Sequence, residues 1–409
     1  MIKYPPYENR ILSISQLFLR KAVLVIKKIT PYIKTFFQRA DIFILCVCLI
    51  CACLSVYMVH VTTVGLAAQN YAGINPTKMV IIQVASVVLG LGAFVVFTIV
   101  DADILGRQWK FLCVVIVLLL VALMLFGSDD GTGNKSWIRF AGIGIQPSEV
   151  IKVLYIILSA KLMSYLKEHK DINAFPSVVQ MAGLFFIIFA LIMVVSSDLG
   201  NAIILFAIFL VMFFFLGVRL YWFALGGAAI AAMIPLLWNF LLKDYQKKRL
   251  VAPYDPSVDP SGYGITWQTK QSQLTLASGR LTGVEEGHTA TAFTGKHTDF
   301  IFASIGEHWG MIGCLIVIAL LIIIIVHCFR VGIHSGRTFD MLLCVGVGTA
   351  IAFQTFINIG MCIGITPVIG ITLPFFSYGG SSIVAMFAAV GLVSGVKYRP
   401  KPKQHFIQY

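Results

Sequence analysis

Charge is what this sequence has least of. Asp, Glu, Lys and Arg make up only 12% of its 409 residues, about half the share usual in soluble domains. Acidic residues are the scarcer sign, 18 against 31 Lys and Arg, for a net charge of +13. So little charge excludes a soluble globular enzyme. The basic excess does not imply nucleic acid either. Lys and Arg gather at the ends of apolar runs and at the termini, where anionic lipid head groups attract them. Cysteine is missing from the longest polar stretch, residues 243–299, so no disulfide holds it. The nine cysteines lie in apolar runs or at their edges. Cys46, Cys48, Cys51 and Cys53 have metal-like spacing, but no His or carboxylate joins them, and they read as small apolar residues. No internal repeat is evident, which weighs against an inverted-repeat transporter. No short apolar segment with a small-residue cleavage site precedes the first long run, so no cleavable signal peptide is expected.

What is abundant is apolar sequence, 58% of the chain, with a mean hydropathy of +0.89. Runs near the roughly 20 residues that span a bilayer fall at about 41–66, 77–100, 108–127, 149–166, 177–195, 199–217, 219–241, 301–328, 340–362 and 378–396. The expected fold is an all-α polytopic membrane protein of about ten transmembrane helices, with domain bounds 41–396 and one long loop at 243–299. Residues 1–40 are basic, with apolar positions at helical spacing. They fit an amphipathic helix on the cytoplasmic face, broken near Pro31, or a disordered basic tail. Residues 397–409 form a second basic tail. With the N-terminus inside, short cytoplasmic segments hold 20 Lys and Arg and short outer segments hold 4. The positive-inside rule then puts both termini in the cytoplasm and the long loop outside.

The polar motifs fall on the outer segments. Lys135, Trp137 and Arg139 precede Gln146-Pro147-Ser148-Glu149. Pro147 suits the first turn of the following helix, and Ser148 can cap it. Glu149 and Lys152 then share one helix face. They are either functional intramembrane charges or a structural ion pair. Asp198 is well placed to cap the sixth run. Lys247-Lys248-Arg249 can hold a pyrophosphate or lie as a solvated charge run. Asp299, at the mouth of the eighth run, is a partly desolvated carboxylate fit to take a proton from a sugar hydroxyl, or else a helix cap. Glu307 is a second carboxylate further into that helix. Residues 365–382 hold two prolines and several glycines amid apolar sequence, including Ser377. Irregular backbone at that depth must be packed in protein or line a cavity.

Taken together these segments resemble the SEDS family (shape, elongation, division and sporulation), which includes RodA, FtsW and SpoVE. The matching residues are Trp137 with Gln146-Pro147-Ser148-Glu149 and Lys152; Asp198-Leu199-Gly200; Arg249 followed by Asp255-Pro256; His297-Thr298-Asp299-Phe300; Gly306-Glu307; and Asn358-Ile359-Gly360 through Pro374 to Ser382. The resemblance implies a peptidoglycan glycosyltransferase of the bacterial cytoplasmic membrane. Such proteins polymerise lipid II on the outer face, with a class B penicillin-binding protein as transpeptidase partner. It implies Asp299 as the essential acidic residue and general base. Substrate contacts are expected from Lys135, Trp137, Arg139, Glu149, Lys152, Asp198, Arg249, His297, Glu307 and Ser377. A divalent cation, Mg or Mn, held at Asp299 is a further expectation. The chain departs from the family pattern at Phe293-Thr294-Gly295, Arg280, Ser197 and His308, which suggests a divergent member. Its short tails favour the RodA-like branch, with the choice among elongation, division and sporulation left open. A lipid II flippase or other lipid transporter is the alternative, and an inactive scaffold a third reading.

Overall fold

The computed structural model describes residues 35–399 except 72, 129–134, 141–142, 243 and 285–290. The amphipathic segment expected before residue 35 and the tail from 400 lie outside the described residues. The helices are α1 (Ile42–Ala68), α2 (Pro76–Ile99), α3 (Ala102–Arg107), α4 (Trp109–Phe126), α5 (Pro147–His169), α6 (Phe175–Ser196), α7 (Leu199–Leu216) and α8 (Leu220–Leu236). They continue with α9 (Asp244–Val251), α10 (Trp267–Ser278), α11 (Ile301–Ile333), α12 (Thr338–Ile363) and α13 (Gly380–Lys397). A small antiparallel sheet of β1 (Gly127–Ser128), β2 (Trp137–Phe140) and β3 (Ile143–Ile145) precedes α5, with Ile138 opposite Gly127 on one side and Ile145 on the other.

Nine helices among the described residues are long and apolar enough to cross a membrane: α1, α2, α4, α6, α7, α8, α11, α12 and α13. The tenth expected run is α5, whose first turns carry Glu149 and Lys152. At 23 residues it would extend about 34 Å, enough to span, and it packs against α4, α7, α12 and α13. The ends of the bundle bear on the count. Asp41, just before α1, pairs with Lys397, at the end of α13, at 2.9 Å. Its backbone N–H donates to Ser394 Oγ at 2.9 Å, and His327 near the end of α11 also pairs with its carboxylate. The first and last helices therefore meet at one face. That requires an even number of crossings, which ten satisfies and nine does not.

α12 and α13 form the interior: 78% of the most apolar window of each is buried. α12 runs among α5, α7 and α11, and α13 lies along α2. Small residues allow the second contact. A Cβ on Gly391 would stand 2.7 Å from the Phe94 carbonyl, and one on Gly395 would stand 2.8 Å from that of Thr98. Without a hydrophobic driving force between helices in lipid, such close backbone packing supplies the attraction.

α11 is not one rod. Its helical backbone breaks at Gly310 (φ 64°, ψ −163°), and the segment after α10 lies in the break. Val284 N–H donates to the Glu307 carbonyl at 2.9 Å, Met311 N–H to Arg280 at 2.9 Å, and Ile312 N–H to Leu281 at 3.2 Å. The backbone groups freed by the break are thus satisfied from outside the helix. Glycine is needed for this approach. A Cβ on Gly279 would fall 1.8 Å from the Gly306 carbonyl oxygen, and one on Gly283 would fall 2.0 Å from that of His308. α10 is fixed to the same end of the bundle by Ser272, which donates to the Cys362 carbonyl, and Gln273, which donates to that of Ile363, each at 2.9 Å.

Candidate active site at the head of α11

The chain enters α11 through a tight turn. Gly295 has φ 85°, and its carbonyl accepts from Thr298 N–H at 3.0 Å and Phe300 N–H at 2.9 Å. The N-cap position is Phe300, with no side-chain cap bond. Of the two readings of Asp299, the helix cap is therefore excluded.

Each of the next four carbonyls is held by a donor from elsewhere. Lys296 O accepts from Ser304 Oγ at 3.1 Å and His297 O from Tyr378 N–H at 3.1 Å. Thr298 O accepts from Ser377 Oγ at 2.7 Å, and Asp299 O from Asn358 Nδ2 at 2.7 Å. Asn358, wholly buried near the end of α12, also donates to Ile371 O at 2.7 Å. Ser377 Oγ accepts from Leu373 N–H at 2.7 Å. Behind this, Ser55 of α1 donates to Phe376 O at 2.8 Å, and Gln83 of α2 donates to Ser55 Oγ at 2.7 Å. The irregular 364–379 segment, expected from its prolines and glycines, is thus packed in protein and grips the Asp299 turn. Phe375 holds a left-handed φ of 65° there, a strain that only well-determined surroundings sustain.

Asp299 is half-buried. Its Oδ2 lies 3.7 Å from where a Cβ on Gly370 would stand, so the carboxylate rests beside that backbone. The His297 ring lies 5.6 Å from that of Tyr378. Burial pushes the His297 imidazole down to about 4, so it is neutral at pH 7. Lys296 is fully buried and pairs with Glu307 at 2.7 Å, also donating to Thr291 O at 2.7 Å.

The other expected site residues divide into three groups. Asp198 caps α7 through Asn201 N–H at 3.0 Å, and its Oδ2 accepts from Asn201 Nδ2 at 2.8 Å and from Gln146 Nε2 and Ser148 Oγ, each at 3.2 Å. Ser148 therefore does not cap α5, whose N-cap is Gln146. Ser148 is the second residue of α5, after Pro147, and its hydroxyl donates to Asp198 while accepting from Asn201 Nδ2 at 2.9 Å. Gln146 N–H donates to Ser381 Oγ at 2.9 Å, tying this cluster to the first turn of α13, which follows the segment that grips Asp299. Glu149 and Lys152 form a buried ion pair at 2.8 Å, with Gln354 Nε2 at 3.5 Å from the same carboxylate oxygen. Gln354 and Asn358 are one turn apart on α12. Lys135, just before β2, and Arg139 on it are exposed, the Trp137 ring packs over Gly144, and Arg249 is half-buried in the last turn of α9. Among the described residues no hydrogen bond or ion pair links Lys135, Trp137 or Arg249 to the Asp299 turn.

Sequence reasoning missed the roles of Lys296, Gln354 and Asn358. For Gln354 and Asn358 the available signal was an amide amid apolar neighbours, which must find a buried partner; Lys296 lies in a polar run, Thr294 to Asp299, that carries no such signal.

Comparison with known proteins agrees with this architecture. Residues 41–401 match the family model for the FtsW, RodA and SpoVE cell cycle proteins. The chain is 31% identical over 322 residues to the peptidoglycan glycosyltransferase MrdB of Escherichia coli K12, covering 77% of this chain and 84% of that protein. It is 34% identical over 315 residues to stage V sporulation protein E of Bacillus subtilis 168, covering 75% and 84%. A chain solved in a study of structural coordination of polymerization and crosslinking by a peptidoglycan synthase complex superposes with a TM-score of 0.72 at 26% identity, over 88% of this chain and 97% of that one. Thermus thermophilus rod shape determining protein RodA shares the fold, with a TM-score of 0.62 at 23% identity over 88% and 96%. With the motif run, the all-α membrane architecture and these matches in hand, the chain belongs to the FtsW/RodA/SpoVE family, the SEDS proteins.

Proposed function

We propose that this chain is a peptidoglycan glycosyltransferase that polymerises lipid II at the outer face of the bacterial cytoplasmic membrane. The observation that carries the reading is the Asp299 turn. Its backbone is held at four successive carbonyls while its carboxylate is not used to cap α11. A base fixed this way meets the acceptor hydroxyl with little reorganisation. Asp299 takes the proton from that hydroxyl. The oxygen attacks the anomeric carbon of the donor sugar, and the lipid pyrophosphate leaves. Pyrophosphate needs no acid to depart, so the carboxylate pair of glycoside hydrolases is not required.

Cations should face the departing pyrophosphate, and Arg249, Lys135 and Arg139 are the candidates, with Arg offering a planar fork. The described residues hold no cluster of three His, Cys, Asp or Glu side chains. A divalent cation at Asp299 therefore fits only the one-carboxylate pattern typical of Mg, completed by water and substrate phosphate. When bound, Mg or Mn would supply positive charge for the leaving group. His297, neutral, and the Asp198 and Glu149–Lys152 clusters then shape and support the site.

The positive-inside count supports a cytoplasmic placement of both termini, with 243–299 outside. The relatives' naming as glycosyltransferases favours transfer over the lipid-transporter alternative. The similar complex named for polymerization and crosslinking supports a class B penicillin-binding protein as partner. The test is polymerisation of purified lipid II by the purified protein, alone and with its cognate transpeptidase, for wild type and Asp299→Ala. Glycan strands lost in a folded mutant support the base. Equal product from both would move the chemistry off Asp299, and no wild-type product would revive the transporter.

A further inference from the structure

Lys296 and Glu307 are each fully buried, and their charged atoms lie 2.7 Å apart. Lys296 belongs to the turn that carries Asp299, whereas Glu307 lies two turns into α11. We propose that this ion pair is a positioning clamp: it locks the Asp299 turn onto α11 and onto the 279–284 segment in one arrangement. The proposal rests on Asp299 being the base.

Three strands of chain meet at the pair. Lys296 Nζ also donates to Thr291 O, its own carbonyl accepts from Ser304 of α11, and the Glu307 carbonyl accepts Val284 N–H. His308 Nε2 stands 3.8 Å from the Glu307 carboxylate. A buried pair adds little net stability compared with apolar residues of the same shape, but losing one partner strands the other charge in the interior. The turn therefore cannot lift from α11 by degrees; any opening separates the two charges in low dielectric. Burial alone weakens the Lys296 ammonium and the Glu307 charge restores part of it, as expected when each charge is held by the other. Neither side chain reaches the surface, so neither is a catalytic residue. Both act through the position of Asp299.

The test uses the full chain, with its transpeptidase partner where polymerisation requires one, and three variants: Lys296→Met, Glu307→Gln and the double. Two quantities are read: hydrogen exchange across residues 291–300, and turnover and KM per folded molecule. Each single variant should speed exchange in that segment by about tenfold or more, and turnover should fall by about tenfold or more with KM within about twofold. The double, which leaves no stranded charge, should recover both to within about threefold of wild type. Wild-type exchange in the single variants overturns the clamp. So does a double variant whose losses multiply those of the singles, or one that fails to accumulate, because the pair is then a folding requirement. If wild-type protein makes no glycan, the glycosyltransferase reading falls, and the exchange measurements still decide the clamp.

Discussion

One buried amide joins the two halves of the candidate site. Asn358 Nδ2 donates to the carbonyls of Asp299 and Ile371, both at 2.7 Å. The first belongs to the turn before α11 and the second to the irregular segment before α13. No apolar residue can make this bridge, and a carboxylate would face both carbonyls with the wrong sign.

Asn358→Leu should therefore leave two buried carbonyls unpaired, at about 1–3 kcal/mol each. Polymerisation should drop by about tenfold or more, with the protein still monodisperse in detergent. Asn358→Asp should be at least as damaging. Activity within about twofold of wild type in both would mean that the Asp299 turn keeps its position without the bridge.

The neutral state of His297 gives a pH dependence. Its folded value, about 4, lies below the ordinary 6.5. Below pH 6.5 the unfolded chain therefore takes up a proton that the folded turn refuses. Stability is full above that value and falls as pH drops from 6.5 to 4, by on the order of 3 kcal/mol at most. Melting temperature should decline over this window in wild type, and His297→Gln should flatten the decline. Parallel curves would place the titration elsewhere.

The junction of the loop with α11 can be tested from both directions. Ala at Gly279 or Gly283 would drive a Cβ into a helix carbonyl, and either change should cost more than about 3 kcal/mol or prevent accumulation. Arg280, by contrast, holds φ 47°, a region in which a side chain is strained by about 1 kcal/mol. Arg280→Gly should raise the melting temperature slightly. A fall would mean that its guanidinium, rather than its backbone, supports this junction.

Chelation tests the cation. Removing divalent ions should suppress polymerisation, and Mg or Mn should restore it in wild type. In Asp299→Asn neither ion should restore it. Full activity after chelation would leave the pyrophosphate to Arg249, Lys135 and Arg139.

Much of the fold was readable in advance because lipid imposes it. A run expected at 41–66 is α1 at Ile42–Ala68, and one at 340–362 is α12 at Thr338–Ile363. The tight turn at Gly217 was legible too, since the left-handed φ of 93° found there suits glycine. Asp198 also caps its helix as read. The break at Gly310 was not legible, because apolar sequence runs on through it and its cause is a loop packed from outside. Ser148 was read as a cap, but it lies inside the first turn of α5, where its hydroxyl bonds Asp198 and Asn201. Lys296–Glu307 and Asn358–Asp299 were hidden for the same reason: sequence shows which polar groups are present in apolar surroundings, and only the packing shows which of them meet.

The break at Gly310 also decides what the bilayer can act upon. An unbroken helix of 33 residues would measure about 50 Å, against a hydrocarbon core of about 30 Å. The limb from Met311 to Ile333 is about 34 Å by the same rise, and Met311, Ile312, Leu315 and Ile316 on it are exposed as lipid-facing residues are. Above the break, Ile301 to Glu307 are all buried in protein. Membrane thickness therefore bears on the exposed limb beyond the break, while the turn bearing Asp299 is held by its protein neighbours.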